Sequence, residues 1–151
     1  MPTIEQSIEI MRYAHEGQFR FDGQLYETHP LGVFAVAKAM GYGESTQHLS
    51  LLHDTVEDSK GKVTLDFLEG EGYQDDVLIP LDLITKRPGE PYTPYIERLA
   101  PNPYSRGVKM IDLFKNMNLT GIENPSRKMI ENIEKYGIHL VYLARFPQPK
   151  I

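Results

Sequence analysis

At 151 residues, 40% hydrophobic and 25% charged, the chain has ordinary globular composition and room for one domain over residues 1–151, which argues against disorder, a fibrous repeat and a second catalytic unit. A formal net charge of −5 disfavours nucleic acid as a partner, and the lack of cysteine leaves only His, carboxylate and water to hold a metal. No apolar run approaches the ~20 residues that cross a bilayer, and Met1-Pro2-Thr3-Ile4-Glu5 has neither a basic region nor a signal-like core, so no membrane partner and a cytoplasmic location are expected.

The periodicity is helical nearly throughout, with no internal repeat and no alternation for a sheet. Thr3 and Gln6 form a capping box, after which Ile4, Ile8, Met11 and His15 share one stripe until Gly17. His29-Pro30 opens a second helix, since proline suits a first turn. There Leu31, Phe34, Ala35 and Lys38 run along one line and Val33, Val36, Ala37 and Met40 broaden the apolar surface, which predicts a largely buried helix ending before Gly41. A third helix is predicted from Ser45 or Thr46 through Leu49, Leu52 and Val56, ending in the polar stretch Glu57 to Lys62. Thr64 to Glu69 reads as a short helix, and Asp75 to Thr85 as one that Pro80 kinks or interrupts. The proline-rich stretch Lys86 to Pro103 is expected to be loop around one brief helix, Tyr95 to Leu99, with Thr93 as cap and Pro94 in its first turn. A longer helix follows from Asn102-Pro103 through Val108, Ile111 and Met117, and a last one begins near Asn124-Pro125 and carries Met129, Ile130, Ile133, Leu140 and Val141. His48 and His139 fit no pattern and read as helix-surface residues.

The segment richest in chemistry is Leu51-Leu52-His53-Asp54-Thr55-Val56-Glu57-Asp58. Adjacent residues on a helix point about 100° apart, so His53 and Asp54 can grip one ion from neighbouring angles, with Glu57 and Asp58 one turn further on. The plain alternative is a solvated last turn, although acids there oppose the helix dipole. His29 stands at a helix start, and Asp112 lies in the otherwise apolar Val108-Lys109-Met110-Ile111-Asp112-Leu113-Phe114. A carboxylate on a buried face is costly unless paired or metal-bound. Taken singly, His29 could be satisfied by backbone and Asp112 by an ion pair with Lys109 one turn back.

Taken together, Tyr26-x-x-His29-Pro30-Leu31, the segment Leu51 to Asp58, Leu83-Ile84-Thr85-Lys86 and Val108-Lys109-x-x-Asp112-x-x-x-Asn116-Met117 resemble, in order and spacing, the hydrolase domain of the Rel/SpoT family and the small alarmone hydrolases. The likeness begins at Ala14-His15-x-Gly17-Gln18-x-Arg20 and runs at least to Met117. It implies an all-α HD domain, a helical bundle with the metal site between helices. His29, His53, Asp54 and Asp112 would hold one divalent cation, usually Mn²⁺ in that family, and Glu57 and Asp58 would be the catalytic pair that positions and activates water. Arg20, Tyr26, Thr55, Lys109 and Asn116 would surround a phosphorylated nucleotide, while His15 matches a family position but no ligand and reads as structural. By its chemistry alone the donor set suits Fe²⁺, Zn²⁺ or Co²⁺ as well as Mn²⁺. The implied reaction is (p)ppGpp hydrolysis, cleavage of guanosine 3′,5′-bis(diphosphate) at the 3′ position with release of pyrophosphate, and a chain of this length leaves no room for synthesis.

The chain departs from the family pattern at three places. Phe21 follows Arg20 where lysine is usual, Leu25-Tyr26-Glu27 stands for Pro-Tyr-Ile, and Leu113-Phe114-Lys115 replaces a basic-Leu-aromatic triplet, which puts a lysine in the place of a ring. Two other readings therefore stand beside the first. One is a hydrolase of another phosphorylated nucleotide, such as the 2′-phosphate of NADPH or a nucleoside phosphate. The other is a non-catalytic HD-fold binding module, against which six intact His, Asp and Glu positions speak, since a degenerate domain has no physical need for buried acids there.

Overall fold

Local capping starts the chain as its sequence predicts: the Thr3 hydroxyl accepts the Gln6 N–H, the Gln6 carboxamide accepts the Thr3 N–H, and α1 (Ile4–Ala14) follows. The structure, a computed structural model, describes residues 1–148 and 151. After α1 come α2 (Thr28–Ala39), α3 (Glu44–Leu52), α4 (Thr55–Asp58), α5 (Leu65–Gly70) and α6 (Asp75–Ile84). The chain continues with α7 (Tyr92–Leu99), α8 (Pro103–Asn116) and α9 (Arg127–Ala144). Among the described residues there is no strand, only one isolated antiparallel bridge between Phe19 and Leu25, so the fold is all-α. Asn102 caps α8 by accepting the N–H groups of Tyr104 and Ser105, and Ser126 caps α9 through Met129.

Helix α3 is central, packed against α1, α2, α6 and α8. Its Leu49 and Leu52 are fully buried with Val33 and Ala37 of α2, Leu81 of α6 and Val108 of α8. Each such side chain contributes roughly 1.5–3 kcal/mol of transfer free energy. The same packing brings the start of α2, the end of α3 and the middle of α8 to one place.

Several local expectations are corrected by tertiary contacts. The third helix does not run on to Val56: it ends at Leu52, and α4 is a separate turn. The Thr55 hydroxyl takes the Leu52 carbonyl at 2.7 Å, and Asp54 adopts φ −103° and ψ −5°, which breaks the ladder. In α2 the buried line is His29, Pro30, Val33 and Ala37, whereas Ala35, Lys38 and Met40 face solvent. Pro80 does not interrupt α6, because the carbonyl it leaves unpaired belongs to exposed Asp76. Helix α7 begins at Tyr92 with Pro91 as cap; the Thr93 hydroxyl bonds His139 Nε2 at 2.9 Å instead of capping. In α9, Ile130 and Val141 are exposed while His139 and Leu143 are buried.

His48 and His139 are therefore not surface residues. His48 is fully buried, its Nδ1 2.7 Å from Ser7 Oγ and its ring edge-on to Tyr73. The ring of His139 lies edge-on to Tyr92 at 4.8 Å, with Nδ1 donating to the Lys135 carbonyl. Both pairings join residues far apart in sequence, which helical periodicity does not register.

Candidate metal centre

The break between α3 and α4 turns His53 and Asp54 toward the first turn of α2 and the middle of α8. Ligand atoms of His29, His53, Asp54 and Asp112 all lie within 4.8 Å of one another. His53 Nε2 is 3.1 Å from Asp54 Oδ2 and 3.6 Å from Asp112 Oδ1, and His29 Nε2 is 2.8 Å from Asp112 Oδ1 and 3.8 Å from Asp54 Oδ2.

The hydrogen bonds around these four groups suit a cation. His53 Nδ1 donates to the Ser50 carbonyl at 2.8 Å, which leaves the Nε2 lone pair aimed into the cluster; this buried nitrogen has no hydrogen-bond partner. Tyr26 donates its hydroxyl to Asp54 Oδ2 at 2.5 Å, Lys109 Nζ bonds Asp112 Oδ2 at 2.8 Å, and Asn116 Nδ2 donates to Asp112 Oδ1 at 2.8 Å. Burial opposes the charge of Asp112, but the Lys109 ammonium beside it prevails and holds the carboxyl well below its usual range. Burial lowers Lys109 in turn, and the Asp112 carboxylate overrides this to hold it well above its ordinary value. Both groups are thus ionised at neutral pH.

Glu57 and Asp58 meet Asp54 at the mouth, their oxygens also within 4.8 Å of one another. Burial and then the charges of Asp54 and Glu57 push the Asp58 carboxyl up to about 7, and burial followed by Asp54 raises Glu57. Glu57 Oε1 accepts the Lys86 N–H at 2.8 Å. Gln18 donates to the Asp58 carbonyl at 2.7 Å and accepts from His15 Nδ1, so His15 braces the turn through Gln18. A cavity of about 170 Å³ opens above these groups, lined also by Tyr26, Lys86, Tyr92, Lys109, Asn116 and Tyr136.

Tyr26, Asn116 and Tyr136 also line a second pocket of about 310 Å³, walled by Phe19, Arg20, Phe21, Leu119, Met129 and Asn132. Of the residues expected around a nucleotide, Arg20, Tyr26, Lys109 and Asn116 reach these spaces, and Arg20 Nη2 donates to Asn116 Oδ1 at 3.3 Å. Thr55 does not: it is fully buried and its hydroxyl serves the Leu52 carbonyl. Sequence reasoning passed over Tyr92, Asn132 and Tyr136. The signal for the last two was present, since Met129, Asn132 and Tyr136 fall at helical spacing on the inner face of α9.

No family model matches the chain. A probable GTP pyrophosphokinase of Mycobacterium leprae is 31% identical over 146 residues, a match that takes in 89% of this chain and 18% of that protein. The bifunctional (p)ppGpp synthase/hydrolase SpoT of Escherichia coli is 39% identical over 56 residues, 37% of this chain and 8% of that protein. The chain thus spans less than a fifth of the length of the curated relatives it matches. Among solved structures, a metazoan ortholog of SpoT described as hydrolysing ppGpp superposes with a TM-score of 0.75 at 17% identity, over 96% of this chain and 86% of the other. The chain shares its fold with that SpoT ortholog. The histidines and aspartates of its motifs are the four groups that the packing of α2, α3 and α8 draws together.

Proposed function

We propose that this chain is a Rel/SpoT-like, metal-dependent phosphohydrolase acting on guanosine 3′,5′-bis(diphosphate) at its 3′ position. The observation that carries the reading is the continuity of two spaces across Tyr26, Asn116 and Tyr136: an acid-lined cavity above a four-donor cluster, and an aromatic pocket wide enough for a nucleobase. The relatives named as guanosine-3′,5′-bis(diphosphate) 3′-pyrophosphohydrolases support the same substrate.

His29, His53, Asp54 and Asp112 would hold one divalent cation, most simply Mn²⁺, with two imidazoles and two carboxylates leaving positions open to water. When bound, such a cation lowers the pKa of water and neutralises charge on the attacked phosphoryl group. Tyr26 and Asn116 orient the two carboxylates, and Lys109 balances the charge of Asp112. Glu57 and Asp58 accept the proton of the attacking water. The new bond joins water oxygen to phosphorus, the bond from phosphorus to the 3′ oxygen breaks, and that oxygen takes up a proton to leave a 3′ hydroxyl and pyrophosphate. Arg20 and Asn116 hold the ribose, with the base against Tyr26, Tyr136 and Phe21.

The deciding experiment is turnover of guanosine tetraphosphate with and without added Mn²⁺, run beside NADPH and nucleoside monophosphates. Metal-dependent release of pyrophosphate from the tetraphosphate supports the reading. Release of phosphate from NADPH or a monophosphate alone would replace its substrate, and no turnover on the whole panel would return the domain to a binding module.

A further inference from the structure

Helix α9 lies along α8, close enough that a Cβ at Gly137 would sit 3.6 Å from Met117 Cε, and its inner side brings Met129, Asn132 and Tyr136 to the aromatic pocket. Among the described residues nothing covers the opposite side. Arg127, Glu131, Glu134, Ile138, Val141 and Arg145 follow one another there in alternating steps of four and three, and all six are exposed. On a helix of about 3.6 residues per turn this spacing draws one straight seam, roughly opposite the three pocket residues.

Ile138 is 69% and Val141 59% exposed, side by side in the seam. Single apolar residues at a surface are ordinary, but this pair is bounded by charges of opposite sign, with Glu134 one turn before it and Arg145 one turn after it. Among the described residues the ion pair on α9 joins Arg127 to Glu131 at 3.1 Å, and neither Glu134 nor Arg145 meets an opposite charge. Along the chain the seam therefore reads acid, apolar, apolar, base. A reversed copy of it reads base, apolar, apolar, acid, so the stripe is complementary to itself in the antiparallel sense alone. A parallel pairing would set Glu134 against Glu134 and Arg145 against Arg145.

We propose that this face of α9 is a homodimer interface, on which a second copy of the chain lays its own α9 antiparallel about a two-fold axis between Ile138 and Val141. Each Ile138 then packs on Val141 of the second copy, and each Glu134 meets its Arg145, so every contact is made twice. A seam of about three turns falls short of the ~1,200 Å² that stable complexes bury, which makes the dimer a weak one with a dissociation constant on the order of 10–100 µM. The pocket stays open in the dimer, since Met129, Asn132 and Tyr136 face away from the seam.

The test is sedimentation velocity of the full chain from about 2 to about 200 µM, a range set to bracket that constant. The sedimentation coefficient of the wild type should climb from that of a monomer toward that of a dimer. Ile138→Asp should hold it at the monomer throughout. Glu134→Arg and Arg145→Glu each set like charges against each other twice and should weaken association about tenfold or more. The double variant, Glu134→Arg with Arg145→Glu, restores opposite charges and should associate like the wild type; this recovery also separates a lost contact from a lost fold. A wild type that stays monomeric over the whole range overturns the proposal and leaves the stripe to solvent or to a different protein. Association that both single charge variants leave unchanged, or that the double variant fails to recover, overturns it as well.

Discussion

Tyr26 donates its hydroxyl to Asp54 Oδ2 at 2.5 Å, while its ring lies 4.6 Å from that of His15. The tyrosine thus aims a carboxylate of the four-donor cluster and is itself aimed by the brace that His15 and Gln18 build under Asp58. Outer groups of this kind orient ligands and typically change metal affinity by about ten- to a hundredfold. Tyr26→Phe keeps the ring and removes only the hydrogen bond, so Mn²⁺ affinity, measured by competition with a chelating dye, should fall within that range. Unaltered affinity would mean that Asp54 does not depend on the tyrosine.

The cluster itself makes a stoichiometric prediction. Elemental analysis after dialysis should find one divalent ion per chain, and His53→Ala or Asp54→Ala should remove it. His53 Nε2 is a buried lone pair with no other partner, so its loss takes away a donor that nothing nearby replaces. Full occupancy in either variant would strike that residue from the ligand set.

Glu57 separates chemistry from binding. Its Oε1 accepts the Lys86 N–H, a bond that a glutamine oxygen can also accept, so Glu57→Gln preserves the local geometry and deletes only the charge. Metal content should stay intact while kcat on guanosine tetraphosphate drops by about 10²–10⁴-fold, the usual contribution of a general base. A variant with wild-type kcat would return Glu57 to the role of a solvated turn residue.

Stability should depend on pH through a residue far from the metal. Burial lowers His48 below its ordinary 6.5, the Glu44 and Asp76 carboxylates only partly opposing this, while Ser7 of α1 and Tyr73 of the connection between α5 and α6 close the site. The unfolded chain then binds a proton more readily than the folded one, so the contribution is complete above 6.5 and is lost as pH falls from there through the folded value. His15, lowered chiefly by burial, acts in the same direction. The raised carboxyl of Asp58 acts in the opposite sense over the same range, so the His48 contribution is read as a difference between two proteins. His48→Gln should be less stable at neutral pH, and in denaturant unfolding from about pH 8 to about pH 5 the margin of the wild type over it should shrink with acid, by at most ~1.4 kcal/mol per pH unit. A margin that does not change with pH would exonerate His48.

What the sequence by itself determined is the chemistry that spans a few residues. Thr3 with Gln6, and Asn102 with Tyr104 and Ser105, satisfy helix ends by bonds closed within one turn, so their spacing sufficed to locate α1 and α8. The adjacency of His53 and Asp54 likewise pointed to a cluster, and the ordered motifs named His29 and Asp112, which the structure brings beside them. Only the tertiary structure decided where those groups meet. His29 and Asp112 stand 83 residues apart and touch because α2 and α8 both pack on α3. The break at His53 arose from the Thr55 hydroxyl capturing the Leu52 carbonyl, and the burial of His48 from a partner 41 residues away. The same holds at the rim, where Phe21 and Lys115 come to line one pocket. Periodicity records which residues share a helix face, but not which face a distant element will cover, and that choice set both the cluster and the two pockets beside it.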